Sequence, residues 1–397
     1  MTVAGIIAEY NPFHNGHAHH ITATREAGAT HIVAVMGGNF TQRGTPALLP
    51  KADRVKMALA GGADLIIELP LPWASAAAER FAFGGVSILE NMGCIDRISF
   101  GCEAGEIQPL NAVINAVQDP RFPDLLRSAL KEGISYPEAQ QRAVTALTDQ
   151  QTAAVLSEPN NTLAIEYGKA LSILQSTIVP YPVLRQGAVH DADTPEDRFA
   201  SAGWIRANLL DGGLETVRPF MPTEAVNLLD SALESRHCLT DTTLADRLML
   251  SFLRRLDLSQ FAALPGVSEG LHNRLYTAVQ TEESLKKVIL AVKTRRYTAA
   301  RLRRIVTAAY LGIPARWEQQ TPPYIRVLGF NQNGRDLLQK MKKTARLPLV
   351  SDPQQLPDDP FAKEIFELEC KASDLYGSML PCPLPCGQEY TVGMIRY

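Results

Sequence analysis

Short apolar runs rich in β-branched residues recur at positions 3–8, 31–36, 64–68, 97–100 and 177–184, and stretches with helical periodicity separate them. Runs this short and this apolar suit strands buried on both faces, and parallel strands need a crossover of a dozen or more residues between them. The stretches at 16–27, 51–60, 75–91, 106–117, 136–147 and 162–174 are long enough to supply those crossovers as helices. The alternation predicts an α/β, Rossmann-like domain with a parallel sheet over residues 1–198. After Phe199 it stops. From there the spacing predicts helices at 204–210, 223–235, 242–254, 271–279, 284–292 and 299–311, so residues 199–397 read as a mainly α-helical domain. Pro348, Pro353, Pro357, Pro360, Pro381, Pro383 and Pro385 follow, and their fixed φ and missing N–H argue against long regular elements in the tail. A chain of 397 residues has room for two such units at about 150 residues each.

The net charge of −3 conceals a division of sign. Residues 1–200 carry 14 Lys and Arg against 21 Asp and Glu, and residues 201–397 carry 25 against 21, so the halves stand at −7 and +4. With 46% hydrophobic and 20% charged residues the chain is neither disordered nor collagen-like, so a folded surface carries that asymmetry, and any anionic partner is expected mainly at the second half. Eight cations and no acid fall within residues 286–304, whereas a solvated helix face mixes signs. This stretch reads as a phosphate-tracking patch in which Lys293, Arg295, Arg296, Arg301, Arg303 and Arg304 meet a nucleic-acid backbone and Tyr297 stacks on a base. Six cysteines are too few for a disulfide framework, and Cys370, Cys382 and Cys386 lack the fourth ligand and short spacing of a zinc knuckle, so no protein-held metal is expected. No basic region precedes the first strand and no uncharged apolar stretch reaches the roughly 18 residues of a membrane span, so a cytoplasmic protein without signal peptide or membrane contact is expected.

The segment Asn11-Pro12-Phe13-His14-Asn15-Gly16-His17 lies between the first strand and the first helix. That is the carboxyl end of a parallel sheet, where such folds bind ligands. Two imidazoles three residues apart, with a glycine between them, can contact a phosphate together with the free N–H groups and dipole of the helix start. His14 and His17 are therefore candidates for contacting a phosphate.

This H-x-G-H arrangement, with Ala8-Glu9-Tyr10 before it and Gly38-Asn39-Phe40-Thr41-Gln42-Arg43-Gly44 after it, resembles the HIGH-motif nucleotidyltransferase superfamily. Segments at 62–70, 99–103, 159–163 and 293–298 extend the likeness, which within the superfamily is to the bacterial tRNA(Met) cytidine acetate ligase family. The resemblance implies ATP as cofactor, accompanied by Mg²⁺, acetate and elongator tRNA(Met) as substrates, and no stable protein partner. It implies activation of acetate as acetyl-adenylate and transfer of the acetyl group to the wobble cytidine of the anticodon loop, giving N4-acetylcytidine; in that adenylyl transfer His14 and His17 are candidate catalytic donors to charge that builds on the phosphate and on leaving pyrophosphate, and not nucleophiles. By the same resemblance Ile7, Ala8, Glu9, Tyr10, Asn11, Pro12, Phe13, Asn15 and Gly16 line the ATP, Gly101 lets the backbone pass close to it, Asn160 or Asn161 hydrogen-bonds it, and Arg185 lies at the phosphates. Ser201 and Arg206 resemble the superfamily's second phosphate motif, although Ala202 and Gly203 stand where hydroxyl residues often occur in other members. Gln42, Arg43 and Lys51, with Asp53 and Arg54 nearby, are candidates for holding acetate or the tRNA backbone. Two other readings fit the same residues: a small-molecule adenylyl- or cytidylyltransferase of this superfamily that needs no RNA, and a non-catalytic RNA-binding protein that keeps the fold.

Overall fold

In the computed structural model, which describes residues 1–185, 195, 197–317 and 319–397, eight strands form one sheet. β1 (Val3–Ala8) lies between β2 (His31–Gly37) and β4 (Arg97–Cys102), β3 (Leu65–Leu69) continues beyond β2, and β5 (Val179–Leu184) flanks β4. These five strands are parallel and fall on the five apolar runs of the sequence. Successive side chains point to opposite faces, and both faces are covered. Ala4, Ile6, Ile32, Ala34 and Ile66 pack under α1 (Asn15–Glu26) and α2 (Lys51–Ala60), while Val3, Val33, Val35, Leu65 and Ile67 pack under the helix Ala78–Met92. All ten strand residues are buried. Because β1 sends the chain to β2 on one side and takes β4 on the other, the sheet changes direction at β1, and it is beyond the carboxyl ends of strands at such a point that open α/β sheets bind ligands.

The second half is helical but not wholly so. β6 (Ile325–Phe330) runs antiparallel against β3, and β7 (Leu349–Val350) and β8 (Ile395–Arg396) pair with β6, so the sheet takes strands from both sides of residue 199. The absence of strands after Phe199 is thereby corrected. A single strand with no neighbour in sequence leaves no alternation to detect, and Arg326 interrupts its apolar run. The tail is corrected as well: Pro360 opens an 18-residue helix, Pro360–Gly377. Its missing N–H falls in the first turn, where no intrahelical partner exists, so this proline starts a helix instead of preventing one. The helices Phe122–Lys131 and Gln332–Thr344 are two more that the sequence pattern did not separate.

The basic stretch folds as the helix Leu285–Val292, a short link, and the helix Ala299–Leu311. Gly44 in the loop after β2 has φ 71°, and a Cβ there would stand 2.5 Å from Arg304 N, so this loop lies directly on the backbone of the basic helix. Thr307 Oγ1 donates to Gly44 O at 2.9 Å and ties the contact.

Candidate active site

His14 is the N-cap of α1. Its Nδ1 accepts from Gly16 N at 3.1 Å, and His17 Nδ1 accepts in turn from His14 N at 3.2 Å, a capping box made of two imidazoles. The rings stack with centroids 3.7 Å apart. A Cβ at Gly16 would stand 2.9 Å from His14 Cε1, which explains the glycine between them. Since a neutral imidazole carries one proton and both Nδ1 atoms are accepting, each ring bears its proton on Nε2 and presents an N–H donor. Protonation is suppressed. Burial, with Arg185 and Arg206 nearby, pulls His14 down to about 3, and burial with His14, His20 and Arg185 puts His17 well below its ordinary value. Tyr10, buried beneath them, meets His17 edge-on at 4.9 Å and Phe13 at 5.0 Å, so the loop Tyr10–Phe13 props the pair from behind.

Two guanidinium groups converge on this pair. Arg206 Nη1 donates to Asn11 O at 2.6 Å, one turn into the helix Ala202–Gly212, whose N-cap is Ser201, accepting from Trp204 N at 3.0 Å. Arg185 follows β5 directly and crosses Gly101, where an added Cβ would touch its Cγ at 3.4 Å. That distance is ordinary van der Waals contact, so the arginine stem alone does not demand a glycine at 101.

Several expected ligands hold the site's walls together. Asn161 is 2% exposed, with Oδ1 accepting from Glu103 N at 3.0 Å and Ala104 N at 3.1 Å and Nδ2 donating to Val155 O, whereas Asn160 donates to Glu103. Asn11 Oδ1 accepts from Leu48 N at 2.8 Å, and Asn15 Nδ2 donates to Arg198 O and Pro219 O. Glu9 accepts from Gln42 N at 2.5 Å, and Gln42 Nε2 donates to Ala76 O, which turns the Gln42 amide away from an open surface. Ile7 packs against Gly85, and Ala8 and Pro12 complete the strand exit.

Lys51 and Arg54 are both buried, and their donors are taken up by groups of the chain. Lys51 Nζ pairs with Glu68 and, at 2.8 Å, with Glu389, beside Arg326, which meets the same two carboxylates at 3.1 and 2.6 Å. Arg54 is 1% exposed and donates to the carbonyls of Glu9, Gly37, Gly38 and Leu49. In the basic stretch Lys293, Arg295, Arg296 and Arg303 are exposed, Arg301 and Arg304 partly so, and Arg43 is exposed on the adjoining loop. Base stacking on Tyr297 is corrected: the ring is 6% exposed, sits in the helical core and carries Arg301 on its face at 5.2 Å. A cavity of about 440 Å³ between α2, β6 and residues 388–396 contains none of His14, His17, Arg185 or Arg206, so converging donors rather than size select the site.

The sequence pattern assigned no role to Glu103 or to His20. His20 lies one turn beyond His17, and its Nε2 meets Ser99 Oγ at 2.9 Å; the i, i+3 spacing is the signal that could have found it.

A Rossmann-like sheet with an H-x-G-H pair capping the helix after β1 defines a HIGH-type nucleotidyltransferase, and the family model for HIGH Nucleotidyl Transferase matches residues 1–388. The chain is 35% identical over 95% of both chains to a protein of Thermoanaerobacter sp. (strain X514) named tRNA(Met) cytidine acetate ligase, and 35% identical over the whole of both to one of that name from Acetivibrio thermocellus. Thermotoga maritima TmcAL, 30% identical, covers all of this chain over 99% of its own, with TM-scores of 0.95 for its ligand-free form and 0.92 for its complex with α-thio ATP. The chain belongs to the tRNA(Met) cytidine acetate ligase family within the HIGH nucleotidyltransferases, and is a ligase.

Proposed function

We propose that this enzyme activates acetate with ATP and acetylates N4 of the wobble cytidine of elongator tRNA(Met), in the cytoplasm. An acetate oxygen attacks the α-phosphorus, the bond to the bridging oxygen of the β-phosphate breaks, and pyrophosphate leaves with the electron pair. Cytidine N4 then attacks the acetyl carbon, AMP leaves with the bonding pair of the mixed anhydride, and N4 loses a proton. The observation that carries the reading is the imidazole pair with both Nδ1 atoms occupied by backbone N–H, which leaves two neutral, fixed Nε2–H donors, with Arg185 near both rings and Arg206 near His14. Preorganised donors of this kind stabilise charge on phosphoryl oxygens without reorganising during the reaction. The donors at this face are N–H groups, which suit phosphate oxygens, so Mg²⁺ would arrive as a counter-ion of the triphosphate.

The RNA half of the reading rests on exposed Lys293, Arg295, Arg296 and Arg303, in the basic stretch against which the Gly44 loop packs, while Gln42 of that loop reaches Glu9 beside the histidines. Single-stranded anticodon bases can be splayed into such a site at modest cost. Mass spectrometry of tRNA nucleosides after incubation with ATP and labelled acetate tests the proposal, with labelled N4-acetylcytidine as the expected product. Acetate-dependent ATP–pyrophosphate exchange with no labelled nucleoside would instead favour a transferase acting on a small molecule.

A further inference from the structure

We infer that Glu103 is a positioning residue of this site: its carboxylate fixes Arg185 and the start of the helix Pro159–Ile173 in the arrangement that receives a nucleoside triphosphate, while itself touching no reacting atom. The inference rests on the reading that the His14 and His17 face binds ATP. Glu103 follows the last residue of β4. Oε1 accepts from Asn160 Nδ2 and lies 4.0 Å from Arg185 Nε, and Oε2 accepts from Asn161 N at 3.1 Å. Asn161 answers by accepting from the backbone N–H groups of Glu103 and Ala104. Three separate chain ends, those of β4, of β5 and of the helix Pro159–Ile173, therefore meet on one carboxylate.

Charge alone makes this placement unfavourable for ATP, because an anion beside a triphosphate site repels the ligand. The position of Arg185 supplies the compensating effect. Its stem lies over Gly101 and its Nε stands 4.0 Å from the Glu103 carboxylate, so the guanidinium is kept beside that carboxylate while its charge is felt at the histidines. Arg185 bears on His14, His17 and His20 alike, so its charge reaches the whole imidazole row. Held this way, the guanidinium meets the phosphates without first losing the freedom of a long side chain.

The two effects of Glu103 have opposite signs, which makes the inference decidable. Glu103→Gln keeps an acceptor for Asn161 N, so the fold survives, but it removes the charge that orients Arg185. Equilibrium dialysis with ATP and with adenosine, on wild type, Glu103→Gln, Arg185→Ala and the double variant, separates the possibilities. Expected is an ATP Kd raised about tenfold in Glu103→Gln, adenosine binding unchanged, and less than about a twofold further change when Glu103→Gln is added to Arg185→Ala. Glu103→Asp, which keeps the charge, recovers part of the loss. Glu103→Gln binding ATP as tightly as wild type or more tightly, an equal loss for adenosine, or a full tenfold loss in the Arg185→Ala background overturns the inference. A wild type that binds no ATP overturns the underlying reading and this inference with it, and the same series reveals that case at once.

Discussion

Because Nδ1 of His14 caps α1 and the ring's proton is left to Nε2, substitution can separate the cap from the donor. His14→Ala removes both and is expected to cost about 1 kcal/mol of stability through the cap. It is also expected to lower acetate-dependent ATP–pyrophosphate exchange by about 10²–10³ through the donor. His14→Asn keeps a cap acceptor and recovers most of the stability but not the rate; a wild-type rate in His14→Asn would remove the donor role. The imidazole row also sets a pH dependence. His14 is pulled down to about 3 and His20 to about 4, mainly by burial, with His17 also lowered, so below about pH 6.5 the unfolded chain binds protons that the folded chain refuses. Stability is therefore intact above that pH and falls as the pH drops towards 4. The urea midpoint is expected to fall between pH 7 and pH 5, and to fall less in His20→Gln; equal falls in the two proteins would contradict it. At this scale the H-x-G-H pair was legible because its spacing is local. The difference between Asn160 and Asn161 was not, since it depends on Glu103, 57 and 58 residues away in the chain.

Elements are held to the sheet edge by a buried ionic cluster that no pattern of residues announced. Lys51 on α2, Glu68 on β3, Arg326 on β6, Glu369 on the helix Pro360–Gly377 and Glu389 in the tail meet there. Two cations face three carboxyls, and burial next to Glu68 pushes Glu369 up, towards the neutral form that would balance the cluster. Glu389→Gln strips one of the two remaining counter-charges from Lys51 and Arg326. An uncompensated buried charge costs about 3–5 kcal/mol, and Glu369 can ionise to replace part of what is removed, so the expected value lies near the lower end. Adding Glu369→Gln removes that reserve and moves the loss to the upper end; urea unfolding of both variants decides, and a loss under about 1 kcal/mol in the pair would show that the cluster carries little. The strands β1–β5 were legible as an alternation. β6 was not, because Arg326 reads as solvated until Glu68 and Glu389, distant in sequence, are brought beside it.

The whole molecule joins an acidic half that holds the histidine pair to a basic half bearing exposed cations, and the Gly44 loop is a place where the two touch. This arrangement predicts that the two activities part under some substitutions and fall together under others. Arg295 and Arg296 are exposed, and Arg296 pairs with Glu269 at the surface, so their replacement by Ala leaves the fold and the exchange reaction nearly unchanged. On the proposed function it weakens tRNA binding and lowers the slope of log affinity against log salt by about 0.7–0.9 for each phosphate that the variant no longer neutralises. Gly44→Ala acts at the junction. An L side chain is strained at φ 71°, and its Cβ would meet Arg304 N at 2.5 Å, so the loop must leave the basic helix and draw Gln42 away from Glu9. Both exchange and tRNA binding are then expected to fall. If Arg295→Ala/Arg296→Ala abolishes exchange as well, the basic stretch belongs to the nucleotide face; if Gly44→Ala spares exchange, the loop carries no link between the halves.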